Sequence, residues 1–304
     1  MRRKLIECVA NFSEGRDAAV VEEIARAIER QAGARVLHLT LDADHHRSVI
    51  TFAGTPEAVL PAAVRAVAAA LARIDLTRHT GVHPRLGAAD VVPLVPLENI
   101  TLEECVGLAH KLGDEIWRGL GIPVYFYEAA ALRPDRRLLE NVRRGQFEGV
   151  RDLVSADESR RPDLGGPHLH PTAGAVIVGA RKFLIAWNVN LDSADLAAAK
   201  AIARFIRAST GGLPHVKALG LALESRGQVQ VSMNLTDIEV TPMHLVFDRI
   251  RTKAREMGIA IAGTEIIGLL PRAVLEQAAA AYFQFENFRP EAVLERRVES
   301  VLGL

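Results

Sequence analysis

Two periods of apolar and polar positions divide this chain. From residue 4 to 12 every second residue, Ile6, Cys8 and Ala10, is small or apolar, which is the period of a half-buried strand. From 18 to 31 the apolar residues Val20, Ile24, Ala27 and Ile28 fall at helical spacing. The same reading gives strands at 35–41 and 47–53, a helix at 56–74, a strand at 90–96, a helix at 101–120 and a short strand at 123–127. Thr101 followed three residues later by Glu104 is a capping box, which marks the start of its helix. The charged run 141–158 reads as partly helical, and 161–174 holds too many prolines and glycines to stay regular. A second part opens with strands at 175–178 and 183–189, followed by a helix at 193–208, strands at 216–223 and 228–234, and a helix at 242–257. A helix at 271–283 and a solvated helical tail from Pro290 complete the chain.

The order strand–helix–strand–strand–helix thus occurs twice. It predicts an α/β (α+β) protein of two similar subdomains, each a mixed or antiparallel sheet backed by helices, with a ligand cleft between them. A length of 304 residues exceeds what one core usually organises, in keeping with two units.

Charge and cysteine content narrow the function. Lys plus Arg and Asp plus Glu are equal at 37 each, so no net field favours nucleic acid or an anionic membrane, and a small-molecule partner is expected. The alanine-rich segment 58–74 is broken by Pro61, Arg65 and Arg73 and is too short to span a bilayer. The N-terminus is basic, but Glu7, Asn11 and Glu14 arrive before any apolar targeting segment develops. Cys8 and Cys105 are far apart and have no CxxC spacing, so two reduced thiols in a cytoplasmic protein are expected.

The densest candidate chemistry lies at 79–96. His79 and His83 are four residues apart on a stretch broken by Gly81, Pro84 and Gly87, which excludes a continuous helix. The histidines therefore sit on a shaped loop leading into a buried strand, where a scaffold commonly presents catalytic groups; an ordinary helix–strand connection with surface histidines is the other reading. The loop Asp42, Asp44, His45, His46 has ligand-type side chains without a metal-binding spacing, and a polar cleft wall is expected there rather than a metal. Arg47 has the planar fork to hold a carboxylate. The turn from Asn11 to Gly15 is either a plain strand–helix connection or a set of backbone N–H groups offered to an anion.

Several long segments in order resemble the formiminotransferase family: ECVANFSEGR at 7–16, DADHHRSV at 42–49, HTGVHPRLGAADVVPLVP at 79–96, GARKFLIAWN at 179–188 and GTEIIGLLP at 263–271. The resemblance runs nearly end to end. It implies subdomains at 1–183 and 184–304 and a reaction that moves a formimino group between N-formimino-L-glutamate and N5 of tetrahydrofolate in histidine degradation. It implies His83, directly before Pro84-Arg85, as general acid/base, supported by His79, with tetrahydrofolate as co-substrate and no metal. The family's folate loop maps onto Gly165, Gly166, Pro167, His168, Leu169, His170, Pro171, Thr172, Ala173 and Gly174. Asn11, Arg47, Arg85, Arg181 and Lys182 are the matching candidates for binding the substrate carboxylates. A homodimer is a family-based expectation. No fused cyclodeaminase, found in some relatives, is expected in a chain of this length.

The sequence departs from the family at Val82 (commonly Glu), His46 (commonly Asn), Thr172-Ala173 (often Ser-Trp) and Glu128-Ala129-Ala130 after Tyr127 (Gly-Glu-Ala). These departures keep two alternatives open: a folate-dependent transferase using another one-carbon donor such as formyl, and a folate-binding protein whose catalysis has decayed.

Overall fold

A computed structural model describes residues 3–302 apart from Asp44, Val82, Glu224, Ser225 and Asn287. The sequence expectations for Asp44 and Val82 lie outside the described residues. The chain divides into two compact units, Met1–Lys182 and Phe183–Leu304.

In the first unit, β1 (Leu5–Phe12), β2 (Arg35–Asp42), β3 (Arg47–Gly54), β4 (Ala89–Glu98), β5 (Val124–Glu128) and β6 (Val176–Ala180) form one sheet in the order β2-β3-β1-β4-β6-β5. The pairs among β1 to β4 are antiparallel, whereas β6 runs parallel to both β4 and β5. Helices α1 (Ala18–Glu29), α2 (Pro56–Arg73) and α3 (Leu102–Leu120) supply the residues that cover one face. The alternation along β1 explains the arrangement: Ile6, Cys8, Ala10 and Phe12 point into this core, as do Ile50 and Phe52 of the adjacent β3. Each such large apolar side chain contributes about 1.5–3 kcal/mol by leaving water. The capping box at Thr101 and Glu104 forms as its sequence predicts, and α3 stops at Gly121, whose φ is +68°. Two short helices, α4 (Leu139–Val142) and α5 (Gln146–Leu153), account for the partly helical charged run.

In the second unit, β7 (Ile185–Leu191), α6 (Leu196–Ile206), β8 (Val216–Leu223), β9 (Gln228–Leu235), α7 (Met243–Glu256) and β10 (Ile261–Ile267) give an all-antiparallel sheet in the order β10-β7-β9-β8. Helices α8 (Arg272–Phe283) and α9 (Leu294–Leu302) follow. Ile185, Trp187, Val189 and Leu191 of β7 pack with Val229, Val231, Met233 and Leu235 of β9 against α6 and α7.

The repeat read from the sequence has a topological basis. The order β2-β3-β1-β4 of the first unit matches β8-β9-β7-β10 of the second, each strand in its corresponding place. Two sequence expectations change. Strand β6, read as opening the second part, belongs to the first unit, where its apolar run Val176-Ile177-Val178 is buried between β4 and β5. Strand β10 was not expected, because Gly263, Thr264 and Glu265 interrupt its apolar pattern; its pairing to β7 and its place at the sheet edge make it a strand. Among the described residues, no helix is long and apolar enough to cross a membrane.

Candidate functional site

The end of β1, the β2–β3 turn and the loop before β4 converge at one end of the first sheet. They converge because Gly15 has no side chain: a Cβ there would stand 2.2 Å from Asp42 O and 2.4 Å from Arg47 N. The turn after β1 therefore lies directly on the β2–β3 loop. Glu14 and Asp17 fasten this turn from within. Glu14 Oε1 accepts from the N–H groups of Arg16 and Asp17, and Asp17 Oδ1 caps Ala19 and Val20. Four donors at the start of the helix, those of Arg16, Asp17, Ala19 and Val20, are thus already occupied by carboxylates of the chain itself, and Ser13 N donates to Ala88 O. In the β2–β3 turn, Asp42 accepts both the His45 backbone N–H and its Nδ1, at 2.9 and 2.8 Å, a local turn rather than a ligand set. Among the described residues, no three His, Cys, Asp or Glu side chains gather as a metal would require.

A small cavity of about 190 Å³ opens at this convergence, lined by Asn11, Phe12, Ser13, His45, His46, Arg47, His79, His83, Arg85 and Asp90. Five sequence candidates meet in it: Asn11, Arg47, His79, His83 and Arg85.

Arg85 and His79 form the floor. The guanidinium of Arg85 makes five hydrogen bonds: Nε to His79 Nδ1 at 3.0 Å, both terminal nitrogens to the carboxylate of Glu148 at 2.9 and 2.6 Å, and further bonds to Gln146 Oε1 and His79 O. An arginine has five N–H donors, so none is left for a ligand carboxylate. Arg85 thereby ties His79 to Glu148 and Gln146. Its bond to Nδ1 leaves the His79 proton on Nε2, which donates to His46 O at 2.9 Å. The His79 ring stacks on His46 with centroids 4.1 Å apart, and burial holds its pKa below the ordinary imidazole value. With both nitrogens engaged, His79 braces the loop.

The Glu148 carboxyl is held below its ordinary 4.5 chiefly by the hydrogen bond from Arg85. A carboxylate lowered in the folded state adds stability above the unfolded pKa and loses it as pH falls through the folded one. Glu148→Gln is accordingly expected to unfold at a lower urea midpoint than wild type near pH 7, with the difference shrinking as pH falls below the ordinary carboxylate value. A difference that stays constant across that range would contradict the linkage.

His83 lies differently. Arg47 Nη1 lies against the His83 ring, 2.6 Å from Nε2 and 3.4 Å from Nδ1, and the His45 ring stands edge-on with centroids 6.0 Å apart. Burial first, then Arg47, Arg143 and His45, push the His83 pKa down to about 2. Burial and the nearby Arg143 also lower Arg47, to about 10. Asp90 holds the loop after His83 in place: its Oδ1 accepts from Leu86 N at 2.7 Å and Gly87 N at 3.3 Å, and its Oδ2 pairs with Arg143. The carboxylate and its partner are both buried.

The 165–174 loop is stitched to the flanks of the histidine loop. Leu76 N donates to Thr172 O at 2.8 Å and Ala88 N to Ala173 O at 2.9 Å. His170 Nδ1 accepts from Ala173 N at 3.0 Å, and Gly174, with φ +69°, passes so close to Leu86 O that a Cβ would lie 2.0 Å from it. The cavity lining includes none of these ten residues among those described. Arg181 and Lys182 are also outside the lining. Arg181 continues from β6 level with Leu94 and faces Glu7 and the Tyr127 hydroxyl, four residues along β1 from Asn11, or about 13 Å at strand rise.

Sequence reading missed Asp90, Arg143, Gln146, Glu148 and Glu14 as members of this site. One signal was available: a lone aspartate opening the otherwise apolar stretch from Ala88 to Val92 needs a buried partner.

Comparison with known sequences agrees with this architecture. Residues 5–181 match the profile described as the formiminotransferase domain, N-terminal subdomain, and residues 186–301 match that of the formiminotransferase domain. The chain is 42% identical to a glutamate formimidoyltransferase of Streptococcus pyogenes serotype M1, over 94% of this chain and 95% of that one. It is 42% identical to a glutamate formimidoyltransferase of Thermoplasma acidophilum, over 99% of each. A formimidoyltransferase-cyclodeaminase of Gallus gallus is 41% identical over 93% of this chain and 53% of its own length. A fold of two helix-backed sheets with these matches defines a transferase of one-carbon groups. The chain belongs to the formiminotransferase family.

Proposed function

We propose that this protein transfers the formimino group between N-formimino-L-glutamate and N5 of tetrahydrofolate, as in histidine degradation, with His83 as general acid and base. The observation that carries the reading is the meeting of His83 and Arg47 in one cavity of a chain that belongs to this family. The attacking N5 sheds a proton once it has bonded to the amidine carbon, and the departing glutamate nitrogen takes one up. One imidazole that accepts and then returns the proton serves both steps. Asn11 and Arg47 are the candidates beside the reacting group, with the Asn11 Oδ1 and Arg47 Nε atoms buried without a partner. Arg181, Lys182 and the 165–174 loop are candidates for the rest of the folate, and tetrahydrofolate is the co-substrate.

Purified protein given N-formimino-L-glutamate and tetrahydrofolate is expected to release glutamate and form 5-formiminotetrahydrofolate. Turnover of N-formyl-L-glutamate in place of the formimino donor would move the assignment to a formyl transferase. Folate binding without transfer from either donor would overturn catalysis.

A further inference from the structure

We propose that Asn11 selects the one-carbon group: its Oδ1 accepts an N–H of the formimino group and turns a formyl group away. The inference rests on the proposed formimino transfer and deepens it by naming the atom that tells the two donors apart.

Most polar side chains that line the cavity are spent within the chain. Ser13 Oγ donates to Gly87 O at 2.7 Å, and the His46 ring meets Thr80 O at 3.0 Å and Glu14 Oε1 at 3.2 Å. His79 and Arg85 hold each other, and Asp90 serves Leu86, Gly87 and Arg143. Among the described residues, two buried side-chain atoms of the lining have no hydrogen-bond partner, Asn11 Oδ1 and Arg47 Nε. One is an acceptor and the other a donor, so a ligand that completes the cavity brings an N–H as well as an oxygen.

Local bonding decides which end of the Asn11 amide is the oxygen. Val9 O, two residues back on β1, can only accept, and it lies 2.8 Å from the amide nitrogen. That bond assigns Nδ2, and the unpartnered atom on the other arm of the amide is Oδ1. Asn11 pairs with Val49 of β3 on one side and Val91 of β4 on the other, so its backbone is held in the middle of the sheet. The residue is 8% exposed, and a buried acceptor without a donor is unfavourable until a ligand supplies one.

The two one-carbon groups differ at one atom. A formimino group ends in a nitrogen that carries N–H in both its neutral and its protonated form. A formyl group ends in an oxygen with no hydrogen to give. Against Asn11 Oδ1 the first makes a hydrogen bond, whereas the second sets lone pair against lone pair and leaves both oxygens unpaired. The formimino nitrogen keeps its N–H while the amidine carbon exchanges the glutamate nitrogen for N5, so the contact lasts through the transfer. A site built around a substrate N–H discriminates strongly against the analogue that lacks it, because its own buried polar group is stranded.

Isothermal titration calorimetry with N-formimino-L-glutamate and N-formyl-L-glutamate, both without folate, tests the assignment. Wild type is expected to bind the formimino compound about 10–100-fold more tightly, the effect of one hydrogen bond to a charged partner. In Asn11→Leu, which keeps the shape and removes the acceptor, formimino affinity is expected to fall by about that factor while formyl affinity stays level or rises. In Asn11→Asp, which keeps an acceptor, the preference is expected to persist. Equal binding of the two compounds by wild type overturns the proposal, whether or not the variants fold. An undiminished preference in Asn11→Leu also overturns it, and so does an equal loss of both affinities there, which would make Asn11 a structural residue. Loss of the preference in a folded Asn11→Asp would do the same. No turnover by wild type, with a binding preference that depends on Asn11, would sink the proposed reaction and leave Asn11 as the selector.

Discussion

His83→Ala is expected to lower formimino transfer by about 10²–10⁴-fold while leaving the protein folded. The magnitude follows from the loss of a positioned proton carrier, and the survival of the fold follows from where the ring sits. His83 is partly exposed on a loop, and among the described residues its side-chain contacts are with Arg47. His79→Ala should behave otherwise. It removes the acceptor of Arg85 Nε and the donor to His46 O, both within a packed floor, so part of its effect will be conformational. Steady-state rates set beside far-UV circular dichroism and urea midpoints separate the two. A His83→Ala protein that retains wild-type turnover would remove His83 from the chemistry.

Asp90→Asn carries the largest expected effect on stability, about 3–5 kcal/mol, because it leaves the buried Arg143 guanidinium without its counter-charge. Both partners are enclosed, with the Asp90 side chain 4% and the Arg143 side chain 10% exposed, so solvent screens little of the loss. The damage extends to the site. Asp90 is the acceptor that fixes the N–H groups of Leu86 and Gly87, and its charge offsets the mutual repulsion of Arg47 and Arg143. Total stabilities of about 5–15 kcal/mol make this loss a large fraction of the whole. Urea unfolding followed by a probe in the first unit measures it. Adding Arg143→Met to Asp90→Asn should recover part of the loss, since the orphaned cation is gone; strict additivity of the two changes would refute the pairing.

The elements of the fold were legible where burial is one-sided. Helix α1 exposes one face and buries the other, so its period of about 3.6 survives in the sequence, and strand β1, though buried on both faces, still alternates Ile6, Cys8 and Ala10 with Glu7 and Asn11. The α3 start was legible for a different reason, because a capping box is settled by residues three apart. Strand β10 was not legible: an edge strand with Gly263, Thr264 and Glu265 inside it is defined by hydrogen bonds to β7, and pairing partners leave no periodic trace. Strand β6 could be seen as a strand but not placed, since an apolar run buried on both faces is compatible with any central position.

The same division holds for the site. The sequence by itself determined the family, most of the elements of both halves apart from β10, the shaped histidine loop, and the residue types available for proton transfer and carboxylate binding. Each of these depends on local spacing or on segments that can be matched in order. Only the tertiary structure decided which of those residues share a cavity. It spent every donor of Arg85 on His79, Glu148 and their neighbours, fixed the His79 tautomer, set Arg47 against His83 and placed the 165–174 loop on the flanks of the histidine loop. The physical reason is that donors and acceptors are saturable and short-ranged. Whether an arginine is free or committed depends on atoms from β3, the loop before β4 and the α4–α5 region arriving within about 3 Å of one another, and only the folded chain brings them there.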